Sequence, residues 1–154
     1  MAIFSQTEAK ISMSQIEEIE NLVGLIFPEE YKNHLLLFNG GQCVPNVFSF
    51  NENDLITTSS IDWFLAIYDG EYDNLRNEIE MVKIEEQRLP SHILPIAHDS
   101  GGNLVCISCG GVDNGCIYFW DHEKEIYYDS TNDYDYSNLY FVAKTFNEFL
   151  NSLK

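Results

Sequence analysis

Two stretches near the start of the chain place apolar residues at the spacing of one helix face. The first predicts a helix over residues 15–23, which begins with a capping box of Ser14 and Glu17 and ends before Gly24. Its apolar positions are Ile16, Ile19, Leu22 and Val23. This pattern is typical of an amphipathic helix that buries one face against a core.

The second stretch, Phe27–Gly41, predicts a helix with well-defined ends. Pro28 suits the first helical position, because the N–H that proline lacks would have no helical partner there. The predicted core stripe is Tyr31, Leu35 and Phe38. The helix is expected to end at Asn39, Gly40 and Gly41, since asparagine and glycine tolerate a positive φ.

The middle of the chain predicts two strands and a third helix. A short strand at 47–50 precedes a polar loop, and apolar residues alternate over 61–67. The face of that second strand expected to be strongly apolar is Ile61, Trp63, Leu65 and Ile67. After a turn at Asp69 and Gly70, a helix is predicted over 73–87. Its buried positions are expected to be Leu75, Ile79 and Val82.

The second half of the chain predicts an antiparallel meander of short strands separated by polar or glycine-containing turns. The strands are expected at 93–97, 103–108, 116–120, 126–128 and 139–143. Pro95 would lie at an edge or a bulge, because it has no N–H to donate to a neighbouring strand. A last helix begins at Thr145, with Glu148 as its capping-box partner. It is expected to bury Phe146, Phe149, Leu150 and Leu153.

The order of these elements is helices, strands, a helix, a meander and a helix, without regular βαβ alternation. We therefore expect an α+β fold with a mostly antiparallel multi-stranded sheet and helices packed against it. A hydrophobic content of 45% and an aromatic content of 14% favour a folded protein. No repeat or linker divides the sequence, so residues 1–154 are predicted to form one domain.

The chain carries 25 acidic and 8 basic residues, a formal net charge of −17. A surface of this sign repels nucleic acid and anionic membranes, so neither is an expected partner. It attracts a basic protein and speeds the encounter, although strong acidity also serves solubility alone. The N-terminal sequence does not resemble a signal peptide, and the longest apolar run, Trp63–Tyr68, is too short to cross a bilayer. We therefore expect a cytoplasmic protein.

Motifs of catalysis or cofactor binding are absent from the sequence. His98 and His122 each neighbour an aspartate, but adjacent residues of a strand point to opposite faces. No serine or cysteine is tied to either pair. We therefore expect neither an enzyme nor a bound cofactor.

Two patterns could indicate a bound metal ion, but each fits an ordinary structural role better. Cys106 and Cys109 have the spacing of half a zinc site, which Cys43, Cys116, His98 or His122 could complete. The apolar residues around Cys106 instead favour a buried strand, where a thiol packs as a small hydrophobic group. The acidic loop at 129–136 lacks the central glycine and closing glutamate of a calcium loop.

Two acidic loops that contain tyrosines are the best candidates for a protein-binding surface, because tyrosine offers a large contact area at low entropic cost. The candidates of the first loop are Tyr68, Asp69, Glu71, Tyr72 and Asp73. Those of the second loop are Asp133, Tyr134, Asp135 and Tyr136. The competing explanation for each tyrosine is a half-buried ring with its hydroxyl in water.

Two stretches together resemble one protein family. The first runs from Phe27 to Leu35 and continues to Asn39-Gly40-Gly41, and the second runs from Leu94 to Asn103 and is followed by Gly115 to His122. Both resemble the SUKH superfamily, and within it the group named for the yeast Smi/Knr cell-wall regulator. The matching positions are Pro28, Asn39, Gly40, Gly41, Pro95, Asp99, Gly101 and Gly102. The resemblance covers about residues 14–153, with Phe27 where the family commonly has leucine.

The resemblance implies an α+β fold without known catalytic activity, in which the motif residues shape the backbone. It also implies that many bacterial members are immunity proteins, which bind and neutralise toxins, often nucleases, delivered between competing cells. The acidic charge suits that role, because a nuclease must present a basic surface to phosphates. The fungal member implies the alternative, an intracellular scaffold or regulatory binding module.

The incomplete ligand set around Cys106 and Cys109 predicts that the protein folds without a metal ion. Elemental analysis of the untagged protein should find zinc well below one ion per chain. One tightly held zinc per chain, lost together with the fold on chelation, would contradict this prediction.

Overall fold

A five-stranded antiparallel sheet lies at the centre of the fold, in a computed structural model that describes residues 2–154. The strands are β1 (Ile3–Ser5), β2 (Gln42–Val44), β3 (Val47–Glu52), β4 (Leu55–Ser60), β5 (Trp63–Phe64), β6 (Ile93–His98), β7 (Leu104–Ser108), β8 (Ile117–Trp120) and β9 (Leu139–Ala143). The helices are α1 (Met13–Val23), α2 (Glu29–Leu37), α3 (Leu75–Glu78) and α4 (Phe146–Ser152). A π-helical segment, Ile79–Glu85, continues α3, and a 3₁₀ turn covers His122–Lys124.

The central sheet has the order β5-β6-β7-β8-β9, and two separate antiparallel pairs, β1-β2 and β3-β4, flank it. This arrangement confirms the expected α+β fold. Strands β7 and β8 are buried along their whole length, because the sheet has a hydrophobic core on each face. Consecutive residues such as Cys106 and Ile107 therefore face different cores.

Helix α1 begins earlier than the sequence predicted. Its N-cap is Ser12, whose backbone N–H donates to the Gln15 side chain at 3.0 Å. The predicted capping box of Ser14 and Glu17 is therefore wrong, because the sequence offers a second serine-to-glutamine box two residues upstream. Gly24 ends the helix with φ 70°, as predicted.

Helix α2 confirms Tyr31 and Leu35 as core residues, each about 1% exposed. Pro28 is the N-cap rather than the first helical residue, since its ψ of 141° is extended. Phe38 was wrongly placed in the core stripe. The helix ends at Leu37, so Phe38 has extended backbone and leaves 38% of its surface exposed.

Asn39, Gly40 and Gly41 were predicted to end α2, but they follow its C-cap, Phe38, and lead the chain into β2. The two glycines have φ of 73° and 92°, which favours glycine, but Asn39 does not adopt a positive φ. Asn39 is instead a buried connector. Its Nδ2 donates to the carbonyl oxygens of Ala9 and Ile67, both at 2.9 Å, and its Oδ1 accepts from the Ile67 N–H at 2.8 Å.

The segment between α2 and α3 differs most from the prediction. The polar loop expected after residue 50 is strand β4, which pairs with β3. The predicted strand over 61–67 shortens to β5, and Phe64 and Ala66 are buried on the face expected to be less apolar. The backbone hydrogen bonds explain this. The Phe64 N–H donates to the Gly41 carbonyl on one side of the chain, and the Leu65 N–H donates to the Ile96 carbonyl on the other side. The chain is therefore covered on both sides.

Two later expectations also change. The predicted helix over 73–87 begins only at Leu75, and most of it is π-helical. Residues 126–128 are not a strand, because Tyr128 donates its N–H to Gln87 and its hydroxyl to Asp135 instead of joining the sheet. The place beside β8 is taken by β9, which was predicted correctly.

Pro95 lies in β6 at a bulge, as predicted. Pro95 is opposite Cys106 and Ala97 is opposite Val105, so Ile96 is the extra residue. The Thr145 side chain caps α4 by accepting from the Glu148 N–H at 3.1 Å. Phe146, Phe149 and Leu153 are buried as expected, whereas Leu150 is only partly buried.

Gly24, the C-cap of α1, and Gly40, which follows α2, allow a matched test. Both have positive φ, but a Cβ on Gly40 would lie 2.5 Å from the Ala66 Cβ, whereas one on Gly24 would meet no atom within 4 Å. Gly24→Ala should cost about 1 kcal/mol of unfolding free energy, from backbone strain alone. Gly40→Ala should cost about 1–3 kcal/mol more, from the added clash. Urea unfolding of both variants measures the difference, and equal costs would show that the contact with Ala66 relaxes freely.

Candidate functional site

The first predicted loop, residues 68–73, connects β5 to α3 and divides into held and exposed side chains. The Tyr68 hydroxyl donates to the Tyr72 carbonyl, and Asp73 contacts a histidine of the sheet. Asp69 and Glu71 are exposed, and the Tyr72 ring is 73% exposed. The held residues fix the loop backbone, so the exposed ones are presented without a large ordering cost.

His98, at the end of β6, fastens this loop to the sheet. Its Nε2 lies 2.5 Å from Asp73 Oδ1, and its Nδ1 lies 2.9 Å from the Asp99 carbonyl oxygen. Burial lowers the pKa of His98, but these two hydrogen bonds and the nearby Asp62 carboxylate outweigh burial and raise it. The positively charged form of His98 is therefore the one that holds the loop.

The second predicted loop, residues 129–136, has the same division. Asp133 accepts from the backbone N–H of Ser91 at 2.6 Å and from its hydroxyl. Tyr134 is 87% exposed, and Asp135 is exposed while it accepts from the Ser137 N–H at 2.9 Å. This loop is therefore fastened just before the start of β6.

Tyr136 belongs to a hydroxyl cluster around Asp113. Tyr136 and Tyr118 both donate to Asp113 Oδ2, at 2.8 and 2.7 Å, and the Ser108 hydroxyl donates to Oδ1 at 2.8 Å. Burial raises the pKa of Asp113, but these hydrogen bonds outweigh burial and lower it. The sequence did not reveal this cluster, because its members come from separate strands and loops.

Helix α1 borders both loops, although they are fastened at opposite ends of β6. Gln15 and Glu18 of α1 line a cleft with Tyr68 and Asp69, and Val23 at its other end lines a groove with Tyr134 among others. At about 3.3 Å per residue, the attachment points Ser91 and His98 are roughly 20 Å apart. The structure therefore places the two candidate loops near opposite ends of α1.

The remaining motif residues form a turn between β6 and β7. Asp99 is 7% exposed, and its carboxylate accepts from the N–H groups of Gly101 and Asn103 and from the Asn103 amide, each at 2.9 Å. Gly102 has φ 88°. Asn103 in turn accepts from the His122 N–H at 3.1 Å. Asp99, Gly101 and Gly102 thus shape a turn, and Pro95 shapes the bulge before it.

The cysteines are free thiols, and three of the four are buried. Burial raises the pKa of Cys43 to about 11 and that of Cys109 to about 12, and it also raises the pKa of Cys106. Thiols of this kind are poor nucleophiles. Within residues 2–154, no group of three or more histidine, cysteine and acidic side chains is arranged to hold a metal ion.

The excess negative charge faces solvent. Of the 25 acidic residues only Glu20 and Asp99 are buried. Half of the 8 basic residues pair with carboxylates of the same chain, which are Lys32 with Glu20, Arg76 with Glu80, Arg88 with Glu86 and Lys124 with Glu52. No helix of the described chain is long and apolar enough to span a membrane. The surface thus presents many carboxylates and few basic side chains that are not already in an ion pair.

Comparison with known proteins agrees with this architecture. The model of the SMI1 / KNR4 family (SUKH-1) matches residues 10–152. The chain belongs to this family. A Bacillus subtilis (strain 168) relative named SPbeta prophage-derived uncharacterized protein YokK is 28% identical over 155 aligned positions, which cover 90% of this chain and 72% of the relative. The family suspected from the helix α2 segment and the β6–β7 turn is therefore confirmed for this SUKH protein.

The pKa of His98 predicts a pH dependence of stability. A raised folded pKa means that the stabilisation is complete below the unfolded value of about 6.5 and is lost as the pH rises through the folded value. We expect the urea midpoint of the wild type to fall between about pH 6 and pH 8, and to fall less in Asp73→Asn, which keeps a residue suited to the φ of 52°.

His34 does not interfere with that measurement. Burial lowers the pKa of His34 to about 4, so its contribution is lost only as the pH falls below about 6.5. An equal fall of the midpoint in wild type and Asp73→Asn would contradict the assigned role of the His98–Asp73 contact.

Proposed function

We propose that this SUKH protein is a bacterial immunity protein that binds a toxin domain in a stoichiometric complex and neutralises it without catalysis. The observation that carries the proposal is the distribution of charge. A net charge of −17 is displayed almost entirely at the surface of a member of this family. Such a surface complements a basic protein domain.

A nuclease is the kind of toxin that this charge fits best. An enzyme that cleaves nucleic acid must hold a phosphate backbone, so its substrate-binding surface is basic. An acidic protein placed on that surface blocks the substrate and associates quickly, because opposite fields steer the two proteins together. Rapid capture favours protection, since the toxin acts until it is bound.

The two acidic loops and helix α1 are the proposed contact surface. A standard interface buries about 800 Å² on each partner, which corresponds to a patch roughly 30 Å across. Loops whose attachment points are roughly 20 Å apart fit within one such patch. Tyr72 and Tyr134 would act as aromatic anchors, and Asp69, Glu71 and Asp135 as charged contacts at the rim.

Co-expression with the toxin domain encoded beside the gene tests both the function and the surface. The loop variant changes only exposed residues and keeps the held ones, by Asp69→Asn, Tyr72→Ser, Tyr134→Ser and Asp135→Asn. The control variant removes the same charge and two exposed apolar side chains elsewhere, by Asp54→Asn, Glu123→Gln, Leu55→Ser and Phe141→Ser. Both variants should keep the thermal midpoint of the wild type within a few degrees, as exposed substitutions generally do.

We expect the wild type and the control variant to restore growth and the loop variant to fail. Loss of one anchoring tyrosine should weaken binding about 30-fold or more, mainly through faster dissociation. Loss of a rim carboxylate should slow association and reduce its salt dependence. Rescue by the loop variant would reject this surface. Failure of the wild type against every adjacent toxin domain would reject the immunity role and leave the regulatory binding module.

A further inference from the structure

Aromatic rings and one carboxylate line an open pocket beside the second loop. Its walls are His92, Tyr118, Tyr134 and Tyr136, its rim is Val112, and Asp113 lies among them. The His92 ring is stacked at 5.9 Å from Tyr136 and lies 6.2 Å from Tyr134. Tyr118 packs edge-on against Tyr136 at 5.3 Å. Tyr118 and Tyr136 point their hydroxyl groups at the Asp113 carboxylate, and the aromatic rings line the pocket beside it.

The carboxylate of Asp113 has no lysine or arginine partner within residues 2–154. Its three hydrogen bonds come from neutral hydroxyl groups, which stabilise the ionised form but do not cancel its charge. The basic side chain nearest to it is His92, whose Nε2 lies 3.8 Å from Asp113 Oδ1. The Tyr136 proton is donated to Asp113, so the His92 Nε2–H must donate to the Tyr136 oxygen.

The same combination of ring and carboxylate holds a cation at two other places in this protein. The Arg88 guanidinium lies 4.7 Å from the centre of the Trp120 ring and pairs with Glu86 at 2.9 Å and Glu125 at 2.5 Å. The Lys124 ammonium lies 5.3 Å from the centre of the Tyr140 ring and 3.0 Å from Glu52. The pocket at Asp113 also combines aromatic rings with a carboxylate, but neither a lysine nor an arginine of the described chain occupies it.

We propose that this pocket receives an arginine side chain of the protein partner. A guanidinium is planar and stacks on tyrosine and histidine rings while its N–H groups point at a carboxylate. A lysine ammonium is more strongly hydrated and cannot stack in this way. The high exposure of Tyr134 and Val112 leaves the entrance accessible. The identity of the partner rests on the proposed function, whereas the chemistry of the pocket does not.

A small probe tests the pocket without any toxin. The backbone amide signals of the ¹⁵N-labelled protein are followed by NMR during titration with N-acetyl-arginine amide, and separately with N-acetyl-citrulline amide, its uncharged isostere. Arginine should give saturable shifts at Val112, Tyr134 and Tyr136, and bind about five- to thirtyfold more tightly than citrulline, the ratio expected for a cation–π contact. Tyr134→Ala should abolish these shifts at an unchanged thermal midpoint. Tyr127→Ala, which removes an exposed tyrosine beside Glu125, should leave them intact.

Equal binding of both probes, or arginine shifts that persist in Tyr134→Ala, would overturn the proposal. Absence of saturable shifts at these residues would overturn it as well. These results are independent of the rescue assay. A pocket that fails to bind arginine in a protein that still neutralises its toxin would reject this inference and leave the immunity function standing.

Discussion

The buried amide of Asn39 joins three parts of the chain that are far apart in sequence. It lies just after the C-cap of α2, binds the carbonyl of Ala9 in the N-terminal segment, and binds both backbone groups of Ile67 just before the first acidic loop. Gly40 brings α2 against Ala66 in the same place, because no Cβ fits between them. A buried amide with a missing partner costs about 1–3 kcal/mol, so the position of that loop is coupled to the stability of the fold.

The fold spreads the acidic charge over the surface and uses two of its few cations in partly buried contacts. Lys32 and Glu20 form a pair that joins α2 to α1, and Glu20 also accepts from the Phe27 N–H at 2.7 Å. Arg88 closes the second core over Trp120. Four of the eight basic residues are thus paired within the chain, and the carboxylates without a cation are available to the proposed basic partner.

The features predicted correctly from the sequence are those that a short local pattern determines. Gly24, the buried Tyr31 and Leu35, and the bulge at Pro95 follow from backbone freedom, periodicity and a missing donor. Strand β4 was missed because its segment is mostly polar and its apolar residues are exposed, so only pairing with β3 makes it a strand. The Asp113 pocket was missed because tertiary folding assembles it from separate elements. The exposed tyrosines were its only sequence signal.

The central claim is that a basic toxin domain is bound across α1 by the two loops. Hydrogen–deuterium exchange of the protein alone and in complex with that domain measures this surface directly. We expect slower exchange at residues 68–73 and 129–136 and at the exposed turns of α1, with unchanged exchange in the β3–β4 hairpin. Protection confined to that hairpin, or to the groove between β1, α2 and α4, would contradict it.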